Sequence, residues 1–372
     1  MIDCKYAFLL ACGLLWSFSA RADLNIALIA PTDGDFKYFS EELVNGAKVA
    51  VDEINESGGL LGKKINLIQI DDPCDDTLSL TTAQMMAVNR SQEDKMHLVL
   101  GPHCSNQAEK IADIFAAAEI FQILPIGGSP AVYKKNYRNL IEFVGSPEQQ
   151  AVDFFRYYTE TYPGRRLAVA YNGQYPEMLA VAKEIQHLFT KAGQGSYLKA
   201  FDTSEFNGNA RRIAQTVKTG NAEILFMLDR AEPTMETVRQ LKADNPDFVI
   251  FTNRYFSSRK FARKLGSIAE GTYLLSLPPL QGNPNFAEDL VRLRLWGIEP
   301  EGLMAYGYLS VKLWGRTVNQ AQSFAPAKLA RSLNKKLVQT GWGNVVYTDG
   351  IPDRSLKYAI YRFENGEYAQ VY

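Results

Sequence analysis

From Leu24 to Ala30 (LNIALIA) the chain is a short, almost unbroken apolar run, which predicts a strand buried on both faces within a parallel sheet. The loop Pro31 to Ser40 leaves that strand at its carboxyl end, the side on which open α/β sheets take their ligands. From Glu41 the apolar positions Leu43, Ala47, Val51 and Ile54 recur at helical spacing. Glu41 and Glu42 are expected in the first turn, where the helix dipole favours negative charge. Gly58-Gly59 ends the helix, and Ile65 to Ile70 (INLIQI) alternates as a second strand running into Asp71-Asp72.

The same grammar continues. Strands are expected at Leu98–Gly101, Gln122–Pro125, Arg166–Tyr171, Glu223–Leu228, Phe248–Thr252 and Gly271–Leu277. Helical patterns separate most of them, so the fold class is α/β, built from βαβ units. Around Val144-Gly145-Ser146-Pro147 the pattern restarts with an amphipathic helix from Glu148 and a fresh strand at Arg166. Later, AYGYLSVKLWGRTV reads as a helix whose Tyr306, Leu309, Leu313 and Trp314 share a buried face.

Composition narrows the class. The 372 residues are 46% hydrophobic, enough for two domains, and 40 basic against 41 acidic residues leave a net charge of −1. No basic run interleaved with aromatics suggests a nucleic-acid partner. Lys5, the apolar stretch Tyr6–Phe18 and Ala20-Arg21-Ala22 before Asp23 have the layout of a cleaved secretory signal over residues 1–22. That stretch falls short of the roughly 20 apolar residues a spanning helix needs. Leu9-Leu10-Ala11-Cys12 resembles a lipobox, but the apolar run continues through Gly13–Trp16, so soluble export is the expectation and lipidation at Cys12 the less favoured alternative. Cys4 and Cys12 leave with the leader. Cys74 and Cys104 remain, both in loops after parallel strands, and an even count in an exported chain suggests a disulfide.

Three stretches carry a resemblance. VDEINESGGLLGKKINLIQIDDPCDD, GPHCSNQAEKIADIF and ILPIGGSP are similar, in this order, to the signature of type I periplasmic solute-binding proteins of the leucine/isoleucine/valine-binding family. The likeness is specific over Leu24 to about Gly145 and weaker, though collinear, to Tyr372. It implies two similar doubly wound lobes joined by a three-strand hinge, with crossings at Val144–Pro147, near Leu277-Pro278-Pro279 and near Tyr347–Asp353. Lobe 1 is then 23–144 plus 278–347 and lobe 2 is 145–277 plus 348–372. The resemblance further implies a monomer in the periplasm, a Cys74–Cys104 bridge near the cleft and no cofactor. It also implies a small-molecule ligand trapped by hinge closure and an ABC transporter permease in the inner membrane as partner. A ligand-sensing or regulatory protein docking on a receptor would use the same fold.

Family positions place the ligand residues. Tyr38 matches an aromatic offered by the loop after the first strand, and Tyr175 one that closes from the second lobe, although the glycines usual beside it are absent. Ser105, Asn106, Gly127 and Gly128 match the loops that grip a ligand carboxylate through backbone donors. Gly128 stands where a hydroxyl residue is common. Amino-acid binders place a glutamate for the ligand ammonium near FVIFTN, yet Asn253, Arg254 and Tyr255 stand there. Arg254 and Arg230 are therefore expected to set ligand charge. Either Asp229 or Glu232 supplies the missing carboxylate, or the ligand is not a standard α-amino acid but a carboxylate- or amide-bearing relative.

Enzymatic readings are weaker. His103-Cys104 offers a base beside a thiol, but Cys104 has a use in the disulfide. Asp71, Asp72, Asp75 and Asp76 lack the spacing of a calcium loop. His97, His103 and His187 form no metal-binding motif, and neither a nucleophile elbow nor a phosphate loop is present.

Overall fold

Strand β1 (Ala22–Ile29) is an interior strand, paired on both sides, and Leu24 and Ile26 to Ala30 are buried because apolar side chains occupy both of its faces. The computed structural model of the protein describes residues 22–88, 94–126, 128–135, 137–278, 280, 283–353 and 356–372. In it β1 pairs in parallel with β2 (Lys64–Ile70) and β3 (Met96–Leu100). With β4 (Phe121–Leu124) and β5 (Leu140–Glu142) these form a parallel five-stranded sheet of order β2-β1-β3-β4-β5. The order reverses at β1, so the crevice of a doubly wound sheet opens at its carboxyl end.

A second sheet comprises β6 (Leu167–Tyr171), β7 (Leu198–Asp202), β8 (Ile224–Leu228), β9 (Val249–Thr252) and β10 (Tyr273–Ser276). After it, β11 (Leu337–Thr340), β12 (Gly343–Thr348) and β13 (Ile351–Pro352) form a small antiparallel sheet. Strands β14 (Ala359–Glu364) and β15 (Glu367–Gln370) then extend the second sheet antiparallel, giving the order β15-β14-β10-β9-β8-β6-β7. The molecule is thus an α/β protein of two lobes. Strand β13 stays near the first sheet, since Glu142 donates its backbone N–H to the Gly350 carbonyl at 2.7 Å.

The segments between the sheets are tied to one another. Tyr358 donates its hydroxyl to the Gly145 carbonyl at 2.9 Å and Tyr361 to the Leu277 carbonyl at 2.8 Å. Trp342 adds an indole N–H bond to the Pro278 carbonyl at 2.9 Å. The helix Met304–Ala321 crosses the helix Lys37–Glu56 at Gly46 and Gly307. A Cβ at Gly46 would stand 1.9 Å from the Met304 carbonyl oxygen, and one at Gly307 would stand 2.0 Å from that of Leu43. Only glycine lets the two backbones touch. Tyr306, Leu309, Leu313 and Trp314 are buried, as the helical spacing predicts.

One helix boundary differs from the expectation. The first helix begins at Lys37, directly after a 3-10 turn at Gly34–Phe36, so neither Glu41 nor Glu42 lies in its first turn. The reason is that Phe36 and Phe39 extend the apolar face upstream of Leu43, and burying both outweighs a better-charged start.

Candidate functional site

The loops at the carboxyl ends of the two sheets meet, and aromatic rings from both lobes fill the junction. Phe36, from the loop after β1, places its ring centroid 4.9 Å from His103, 5.6 Å from Tyr175 and 5.7 Å from Tyr255. Phe39 lies 5.3 Å from the Tyr255 ring. Beneath Tyr255 the buried Arg254 donates to the Glu177 carboxylate and faces the Tyr358 hydroxyl at 3.4 Å. Gln150 donates its side-chain amide to the same Glu177 oxygen at 3.0 Å. The space left among Glu177, Met178, Arg254 and Tyr255 is only about 10 Å³, so the cleft is packed by the protein's own side chains.

Its electrostatics follow from burial. Desolvation works against the Arg254 charge, but the adjoining Glu177 carboxylate holds the guanidinium protonated well above its ordinary range. His103 is pushed down to about 3, first by burial and then by the Arg254 charge, so its ring is neutral. Neither of its nitrogens has a hydrogen-bond partner among the described residues.

The residues singled out in the sequence distribute unevenly. Tyr175 packs edge-on against Phe36, and Arg254 lies at the centre of the junction. Ser105 is buried and Asn106 half-buried in the turn leading to the helix Ala108–Ala117. Gly127 lies outside the described residues. Gly128 faces Glu142, a buried carboxylate at the end of β5: a Cβ at Gly128 would stand 1.5 Å from the Glu142 Oε1 atom. A side chain at 128 would have to push the Glu142 carboxylate, the mobile end of its side chain, aside. Tyr38 stands at the rim, with the Lys260 ammonium 3.2 Å from its ring centroid. Arg230 also stands outside the aromatic junction, its Nε 3.6 Å from the Asp229 carboxylate.

Both acids considered for a ligand's ammonium have partners within the chain. Asp229 accepts bonds from Asn172 at 3.0 Å and Thr203 at 2.6 Å, and Glu232 pairs with Lys264 at 3.2 Å. The carboxylate that does lie at the junction is Glu177, in the first turn of the helix Pro176–Lys191, and it pairs with Arg254. The signals missed were Phe36, Glu177, Tyr255 and Glu142. Each was visible beside a residue that was chosen or, for Glu142, at the foot of the first crossing. Cys74 and Cys104 are joined by a disulfide, with Cα atoms 5.7 Å apart. Among the described residues no cluster of three His, Cys, Asp or Glu side chains is placed to hold a metal, and no helix is long and apolar enough to cross a membrane.

Glu42 joins the lobes at the edge of this site. Its carboxylate accepts the Leu303 backbone N–H at 2.8 Å, at the start of the helix Met304–Ala321, and a bond from the Ser258 hydroxyl of the second lobe. Burial pushes its carboxyl up to about 7. Folded Glu42 therefore keeps its proton where the unfolded chain has lost it, and its contribution to stability falls as pH rises from about 4.5 to about 7. His103 has the opposite sign: its contribution is complete above about 6.5 and is lost as pH falls towards about 3. The two oppose each other between pH 4.5 and 6.5. Glu42→Gln is expected to unmask a rise in stability with pH across that window, on the order of 1–2 kcal/mol. Urea midpoints at several pH values check this; a variant profile parallel to the wild type removes Glu42 from the balance.

Comparison with known proteins agrees with this architecture. The family model described as periplasmic binding protein matches residues 23–367. An "Amino acid binding protein" of Pseudomonas aeruginosa is 26% identical over 365 residues, covering 95% of this chain and 94% of that one. A leucine binding protein from Thermotoga maritima superposes with a TM-score of 0.81 at 16% identity, covering 94% of this chain and 98% of that one. A solute binding protein from R. palustris in complex with benzoate superposes at 0.78 and 14%, covering 94% and 95%. With a family model spanning nearly the whole chain and this fold around an interlobe junction, the chain belongs to the periplasmic binding proteins of the leucine/isoleucine/valine-binding type, which are binding proteins and not enzymes.

Proposed function

We propose that the mature protein, from Asp23 after removal of residues 1–22, captures a small polar, amino-acid-like molecule in the periplasm and delivers it as a monomer to an inner-membrane ABC permease. The working lobes are 23–144 plus 278–347 and 145–277 plus 348–372, closing about the three crossings. The observation that carries this reading is His103: a buried imidazole with neither nitrogen partnered among the described residues, at the junction of the lobes, beside a buried Arg254–Glu177 pair. Buried polar atoms are nearly always satisfied, so a ligand with donors and acceptors is the natural partner.

The charge layout selects the ligand. Glu142 against Gly128 puts a carboxylate beside the loop where the family seats the ligand's carboxylate, which favours an ammonium or amide end there. Arg254, from the opposite lobe, suits a carboxylate or carbonyl end. The leucine and benzoate named for the two structural neighbours both carry a carboxylate. Ligand entering the cleft must displace Phe36, so binding and lobe opening are coupled.

A thermal-shift screen of the refolded, ligand-stripped protein tests the reading. The panel is branched-chain and aromatic amino acids, amides, ureas, dicarboxylates and aromatic acids. A ligand at about 100 times its dissociation constant stabilises the fold by about 2.7 kcal/mol. Amides or carboxylates that stabilise support the proposal. A response confined to leucine, isoleucine and valine keeps the transport role and the charge layout but removes the reading that the ligand is not a standard α-amino acid, and silence across the panel favours docking on a receptor.

A further inference from the structure

A second interlobe pocket of about 150 Å³ opens beside the second crossing and shares no lining residue with the cleft. Its walls come from both lobes: Tyr306 and Trp342 on one side, Tyr361 and Tyr368 on the other, with Leu277 and Pro278 of the crossing between them. The polar tips of these four rings are already used by the chain. Trp342 donates to the Pro278 carbonyl at 2.9 Å, Tyr361 to the Leu277 carbonyl at 2.8 Å and Tyr368 to the Phe256 carbonyl at 3.0 Å, while Tyr306 bonds Ser276 and the Leu277 backbone. What the rings offer an occupant is therefore carbon and π surface.

Charge completes the picture. The described lining includes two exposed carboxylates, Glu301 and Glu367, one from each lobe, and no lysine, arginine or histidine. Aromatic faces attract cations through their quadrupole, and methylated ammonium ions are the ligands such surfaces recognise best. A cavity of about 150 Å³ is the size that holds a benzene-sized molecule. We propose that this pocket is a second ligand site, for a small organic cation of the alkylammonium class. An occupant touching both lobes and the crossing stabilises the lobe arrangement described here, so it biases hinge motion without entering the cleft. The proposal is independent of what the cleft binds.

Choline and its uncharged carbon isostere 3,3-dimethylbutan-1-ol are the probes, titrated calorimetrically into the full mature protein at fixed ionic strength. Choline is expected to bind, and the isostere to bind at least about tenfold more weakly, because only the cation gains from the rings and carboxylates. The double variant Glu301→Gln, Glu367→Gln is nearly isosteric, with its thermal midpoint as the check on folding; it should weaken choline several-fold and leave the isostere unchanged. No heat with choline at millimolar concentrations, equal affinity for the isostere, or an unaffected double variant each overturns the proposal.

Discussion

Glu177→Ala is expected to destabilise the fold by about 3–5 kcal/mol, because it leaves the Arg254 guanidinium buried without its counter-charge. Arg254 retains only 3% of its side-chain exposure and the Glu177 side chain 9%, so water cannot take the carboxylate's place. The remaining neighbours are weak substitutes: the Tyr358 hydroxyl at 3.4 Å, and Gln150, whose amide oxygen can turn to accept from the guanidinium but carries no charge. The effect measures a broken pair, not the worth of the pair. Replacing both members with apolar residues of similar size, Glu177→Leu with Arg254→Met, should therefore return stability to within about 1–2 kcal/mol of the wild type. Denaturant midpoints of the three variants decide it: a Glu177→Ala loss below about 1 kcal/mol means that Arg254 is hydrated or re-paired. The double variant also separates stability from function. It folds, but it has lost the polar floor of the cleft, and ligands found in the thermal-shift screen should no longer bind it.

The parts of this protein that could be read from sequence are those where burial dictates composition. Strands such as LNIALIA and ILFML lie between layers of helices, so they are almost wholly apolar, and the helical periods between them mark the crossovers. Strand β7 is an edge strand of mixed exposure, and β5 has only three residues, so neither leaves a comparable pattern. The C-terminal hairpins lack intervening helices, which is why β11 to β15 were not visible as separate elements.

The site was legible by region and not by residue. A resemblance places the right loops in the cleft, but choosing within a loop depends on where the helix after it starts. Because the first helix starts at Lys37, Phe36 turns into the junction and Tyr38 turns to the rim, two positions away. Asp229 reads from sequence as an acid available to a ligand's ammonium, yet Thr203 and Asn172, remote in sequence, engage its oxygens. Glu142 is harder still, since nothing local marks it as the carboxylate that faces Gly128. These are tertiary facts, decided by side chains more than ten residues apart.

Replacing both bridged cysteines, Cys74→Ser with Cys104→Ser, is expected to destabilise the protein by about 3–4 kcal/mol through the entropy returned to the unfolded chain. The bridge closes a loop of sequence separation 30, and its two ends hold segments that follow different strands of the first sheet. On one side, Cys74 has a positive φ of 61°, a conformation that a non-glycine residue adopts at a cost, in a loop organised by buried Asp72. Asp72 accepts the Cys74 backbone N–H at 3.1 Å and the Ser79 hydroxyl. On the other side, Cys104 follows His103, whose ring packs on Phe36 and Tyr255 in the cleft. Freeing Cys104 lets that turn relax, so the bridge fixes the imidazole against the opposite lobe as well as restraining the unfolded chain. The serine variant should therefore lose ligand affinity in addition to stability, whereas a bridge acting on the unfolded state alone would leave affinity unchanged. Denaturant midpoints with and without reductant, followed by titration of the stripped protein with its ligand, separate these outcomes. Thiol titration of the unfolded, unreduced chain should find no free cysteine between Asp23 and Tyr372, and two free thiols there would refute the bridge itself.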